Sequence, residues 1–123
     1  VAGRPEPLAR IDRYLAAARI ADEAIWDLHR DLVVSGRADD RTRDLLGEAA
    51  RIVAVEVPEA LTEVRHLDAL WSEQELLNPP AAADTLRGLT VEADRVAPQL
   101  ARLRSRHREV AAELLRRTKK TDE

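Results

Sequence analysis

The chain has 123 residues with 20 basic and 23 acidic side chains, a formal net charge of −3, and no cysteine, methionine or phenylalanine. That length fits one domain, 1–123, and the lack of cysteine excludes disulfide scaffolds, thiolate zinc sites and thiol catalysis. No apolar run approaches the roughly eighteen residues of a membrane span, and Val1 to Arg10 carry no secretory h-region, so no membrane association and a cytoplasmic location are expected. Alanine, arginine and leucine contribute 21, 18 and 17 residues, all strong helix formers, while β-branched and aromatic residues are few. The composition predicts an all-α protein.

The first seven residues, with Pro5 and Pro7, read as an extended N-terminal segment. From Leu8 onward, Ile11, Leu15, Ala18, Asp22, Ile25, His29 and Leu32 keep a 3-4 spacing, the seam of a helix packed at a shallow angle. Ser35-Gly36 and Asp39-Asp40 then supply a stop and a new cap. A second helix is predicted from Asp40 to Leu77, its seam formed by Leu46, Ala49, Val53, Val57, Ala60, Val64, Leu67 and Trp71, with a kink at Pro58. Asn78-Pro79-Pro80 ends it and starts a third. There, Leu86, Leu89, Ala93, Val96, Leu100, Leu103, His107, Val110 and Leu114 hold the spacing across a second kink at Pro98. A break at Gly88 would raise the count to four helices. Residues 118–123 read as a disordered tail.

Short loops between long helices predict an antiparallel up-down-up bundle of three helices, a coiled-coil-like arrangement. Turns centred near residues 37 and 79 place Ile52 level with both Asp22 and His107, so these two form a buried polar layer that fixes register. The same arithmetic leaves the second and third helices overhanging the first by roughly 15 Å. The overhanging hairpin tip carries Leu67, Leu70, Trp71, Leu76, Leu77, Leu86 and Leu89. Such an apolar load needs a cover, supplied either by Val1 to Pro7 as a strap or by a partner.

Other constellations have simpler explanations. Glu56, Glu59, Glu63 and His66 share a stripe with Glu-x-x-His spacing similar to a dimetal ligand pair. The other helices supply no second such motif, so ion pairs with Arg95, Arg102 and Arg106 are expected in place of a metal site. Residues 99 to 120 hold eight basic and two acidic side chains, against twelve basic and nineteen acidic in residues 1–98. Internal pairing, rather than nucleic acid, is the expected use of that basic helix.

The preferred functional expectation is a non-enzymatic interaction protein, an adaptor or assembly subunit, that binds itself as a homodimer or another helical protein through the tip around Trp71. It would need no cofactor and no metal. Two alternatives stand beside it. Arg102-Leu-Arg-Ser-Arg-His107 resembles the arginine, four residues, histidine pattern of the HEPN ribonucleases. That resemblance implies metal-independent RNA cleavage, with Arg102 binding phosphate and His107 in acid-base catalysis. The second alternative is a small-ligand pocket near Trp26, Asp22 and His107.

Overall fold

A computed structural model of the chain describes residues 4–119, and these form helices with no strand among them. The first helix, α1 (Glu6–Val34), starts directly after Pro5 and carries Pro7 in its first turn, where the missing N–H has no intrahelical partner to lose. Glu6 and Pro7 are therefore helical rather than extended, and Val1–Gly3 lie outside the described residues. The end of α1 is a glycine stop. Gly36 adopts φ +72°, and the Arg37 N–H donates to the Leu32 carbonyl at 2.8 Å, closing the wide loop of a Schellman motif. The Ser35 hydroxyl also donates to the Asp31 carbonyl.

Asp39 caps the next helix, α2 (Asp40–Arg51), accepting from both the N–H and the hydroxyl of Thr42 at 2.8 Å each. The helix continues into a π-helical turn, Ile52–Glu56, and then into α3 (Val57–Ala60), so the three pieces form one unbroken rod. Leu61 interrupts it at φ −96°, ψ 5°, and α4 (Thr62–Leu77) follows. Asn78 separates α4 from α5 (Pro79–Lys119), its side-chain oxygen accepting from the Ala81 N–H while Pro79 and Pro80 need no acceptor. Counted by continuity there are four helices. The fourth arises from the break at Leu61, since α5 passes through both Gly88 and Pro98 without interruption. Thr118 and Lys119 belong to α5 rather than to a tail, and 120–123 lie outside the described residues.

The sequence predicts a kinked but otherwise regular second helix at Pro58, and the structure corrects this. A proline inside a helical rod removes one donor and presses its ring on the carbonyl four residues back. Here the strain is taken up on both sides of the ring. The Val57 N–H donates to the Ile52 carbonyl across the π turn, and the Leu61 N–H is shared between the carbonyls of Val57 and Pro58. The extra residue in the π turn shifts the buried face by one position. Ile52, not Val53, is the core residue, and the next buried contact comes five residues later at Val57.

The buried side chains fall into two clusters. One gathers Leu8 and Ile11 with Ile52, Val57, Leu61 and Val64 and with Leu89, Val96 and Leu100. The other gathers Ile25 and Leu32 with Leu45 and Ala49 and with Val110 and Leu114. Asp22 and His107 sit between the two along their respective helices. Ion pairs link helices along the edges: Arg41 with Glu113 at 3.2 Å, Arg10 with Asp94 at 3.0 Å, and Glu48 with Arg106.

The hydrogen bonds from the Thr42 N–H and hydroxyl hold the Asp39 carboxyl below the usual aspartate range, with Arg117 acting in the same direction. A lowered folded-state pKa stabilises the fold fully above the unfolded value and is lost as pH falls through the folded one. Thermal melting followed by circular dichroism should therefore show the wild-type midpoint dropping more steeply than that of Asp39→Asn as pH falls below the ordinary aspartate value. Equal slopes would show that this cap contributes nothing ionic.

Candidate functional site

The hairpin tip is built from the end of α4 and the start of α5, joined at Asn78. Arg4 reaches Asp68 at 3.3 Å and Arg10 reaches Asp94 at 3.0 Å, so the first turns of α1 lie level with those two aspartates and the hairpin between them projects beyond α1. Its apolar residues divide into two sets. Leu89 is fully buried within the first core cluster, and Leu67, Trp71 and Leu86 pack against that cluster while remaining partly exposed. Leu70 is also half-buried. Leu76 and Leu77, at the end of α4, stand 87% and 76% exposed. The tip is thus less open than its leucine count suggests, and its uncovered surface is concentrated at Leu76 and Leu77. Leu89 is unavailable to any partner.

Asp22 and His107 approach each other from α1 and α5, with Asp22 Oδ1 3.6 Å from His107 Nε2. His107 is 5% exposed. Both facing atoms are buried and neither has a hydrogen-bond partner in the structure. The two are close enough to attract and slightly too far apart for a good hydrogen bond. Arg102 lies exposed on α5, five residues before the buried His107, and the structure does not bring the two onto a common surface. The imidazole is turned toward Asp22 within the bundle, which leaves the HEPN-like pattern without an accessible acid-base group.

The acidic stripe does not find the partners expected for it. Glu56 is half-buried and Glu59, Glu63 and His66 are exposed. Arg95 pairs with Glu92 on its own helix and feels Glu63 only at longer range, while Arg106 pairs with Glu48 and Glu109. Arg95 thus takes the neighbour one turn away on α5, while Arg106 bridges a neighbour on α5 and a glutamate on α2. No group of three or more His, Asp or Glu able to hold a metal ion occurs among the described residues. Trp26 is half-exposed with its ring edge-on to His29, centroids 6.0 Å apart, and does not line the cavity that reaches His107.

A concave surface of a different character lies between α1 and α5. A cleft of about 340 Å³ opens between α1 and α5, lined by Tyr14 and Arg10 on one side and by Ala97, Ala101, Arg104 and Arg108 on the other. It adjoins a smaller chamber of about 90 Å³ that shares Tyr14, Arg104 and Arg108 and reaches inward to Ile52, Val57 and His107. Burial pushes the Tyr14 phenol up from its usual value, against the opposing pull of Arg104. None of Tyr14, Arg104 and Arg108 stands out in the sequence. The available signal is the run Ala93, Ala97, Ala101, one small residue per turn along α5, ending in two arginines also one turn apart. No protein-family model, curated protein or solved structure matches this chain.

The polar pair lends itself to substitution. Asp22→Leu or His107→Leu leaves the other polar atom buried without a counterpart and should cost about 1–3 kcal/mol each in urea unfolding. Replacing both should cost clearly less than the sum of the two. Strict additivity would show that the two side chains do not interact.

Proposed function

We propose that this chain is a non-enzymatic helical interaction protein, an adaptor or assembly subunit, that docks through the α4–α5 tip onto a second copy of itself or onto another helical protein. The observation that carries this reading is the pair Leu76 and Leu77, adjacent and almost fully exposed at the outer end of a hairpin projecting past α1. Exposed neighbouring leucines on a helix that also carries a half-covered tryptophan are the composition of a small anchor patch. Leu67, Trp71 and Leu86 pack against the first core cluster, in which Leu89 is fully buried.

The architecture assigned to this function is an up-down-up bundle with three antiparallel legs, the middle leg comprising α2, the π turn, α3 and α4. Cross-helix pairs support it. Arg41 with Glu113, Glu48 with Arg106 and Gln74 with Thr85 rise in number on one leg while falling on the other. Arg10 with Asp94 and Asp22 with His107 rise together, as first and third legs would. Arg106 and Arg117 of the basic helix pair across the bundle with Glu48 and Asp39, and no aromatic side chain interleaves with the basic ones for base stacking, which favours a protein partner over nucleic acid. A cytoplasmic setting without a cofactor goes with this reading, and no helix among the described residues is long and apolar enough to cross a membrane.

Sedimentation across a concentration series tests it. Wild type should associate, and Leu77→Asp and Trp71→Ala should each weaken association by roughly thirtyfold, the equivalent of about 2 kcal/mol for a buried anchor. Leu77 is exposed, so Leu77→Asp should leave the helical circular dichroism unchanged. A wild-type chain that stays monomeric at high concentration and recovers no helical partner from its source would remove the reading.

A further inference from the structure

The α1–α5 cleft lies apart from the tip, and its chemistry is different. Arg104 and Arg108 stand one turn apart on α5, and neither has an ion pair or hydrogen bond among the described residues. Most arginines of the described chain are matched, including Arg10 on the opposite lip, which Asp94 holds at 3.0 Å. Two like charges at this spacing repel each other, and here they do so at the mouth of a concavity with an alanine floor. Beneath them the inner chamber is apolar at Ile52 and Val57 and ends at the buried His107, whose Nε2 faces Asp22 Oδ1 at 3.6 Å.

We propose that this cleft binds a small organic anion, a compact apolar body bearing a carboxylate or a phosphate, with its charged group held between Arg104 and Arg108. An anion there relieves the repulsion and gains charge-assisted hydrogen bonds from two guanidinium groups. The volume of about 340 Å³ sits at the small end of ligand pockets, which typically run from roughly 300 to 1,000 Å³ and combine apolar walls with a few placed polar groups. Tyr14 lines both the cleft and the chamber. Its phenol, protonated near neutral pH as tyrosines ordinarily are, supplies a donor and no competing negative charge. The apolar body stacks along Ala97 and Ala101 and points toward Ile52 and Val57.

Calorimetric titration of the intact chain with 2-naphthoate, 2-naphthyl phosphate and the neutral 2-naphthalenemethanol tests this, with the ring signals of Tyr14 in NMR reporting the location. At least one anion should bind more tightly than the neutral analogue by roughly tenfold or more, and should shift the Tyr14 signals. Whichever anion binds more tightly identifies the charged group, and equal binding of both supports their shared chemistry. The double variant Arg104→Gln/Arg108→Gln, changed only at exposed positions, should lose this preference while keeping its helical content. Ala97→Leu, which fills the floor without touching charge, should weaken both anions and the neutral compound together. Absence of binding by either anion, equal affinity for the neutral analogue, or an undiminished preference in the double variant would each overturn the proposal. None of these results depends on whether the tip associates.

Discussion

The meeting of Asp22 and His107 is the constraint around which the rest of the molecule is arranged. Two polar side chains on seam positions interrupt what would otherwise be one continuous apolar column, and the buried residues accordingly fall into one cluster on each side of them. An apolar seam alone tolerates sliding by a turn, because leucine meeting alanine one turn away costs little. A polar pair resists this, since a slip leaves the His107 ring and the inward-facing oxygen of Asp22 buried without each other. The pair therefore fixes how α1 lies against α5. The ion pairs Arg10–Asp94 and Arg41–Glu113 then follow from that alignment rather than determining it, as exposed pairs contribute little on their own.

A second constraint comes from Pro58. The middle leg must present Leu45 and Ala49 to one cluster and Ile52, Val57, Leu61 and Val64 to the other, with a proline among the second set. The wide π turn at Ile52–Glu56 gives the ring room, and the break at Leu61 resets the helix before α4 begins. Together they let the middle leg pass a residue that a regular α-helix would expel. Because the chamber behind Tyr14 is walled by Ile52 and Val57, the two residues that flank this turn, the same irregularity shapes the inner end of the α1–α5 cleft.

Much of this was legible in the residues themselves. Gly36, Asp39 and Asn78-Pro79-Pro80 mark helix ends because each has a local chemical role that depends little on tertiary context. The seam of α5 reads directly from Leu89, Ala93, Val96, Leu100, His107, Val110 and Leu114, all of them buried. Turn arithmetic alone set Asp22 and His107 at one level, and they lie 3.6 Å apart. The substitution of Ile52 for Val53 was not legible: two adjacent β-branched residues fit either side of a one-residue insertion, and periodicity cannot locate the extra residue. A count of leucines overstates how open the tip is, since it says nothing about how far Leu89 and Leu86 tuck between α4 and α5. The cleft escaped because it is made of absence, with alanines on one helix facing a tyrosine on another, and no single helix displays it.

The division of the core into two clusters has a consequence for how such a chain can change over generations. Energetic coupling between substitutions fades over roughly 7–10 Å when no partner is shared. A replacement at Leu32 or Leu114 is thus felt by Leu45 and Val110, and only faintly by Leu61 or Leu89 on the far side of the polar pair. The end holding the tip and the end holding the Gly36 turn can therefore drift almost as separate lineages threaded on one 41-residue helix. Only the residues at the divide, Asp22 and His107, must change in step.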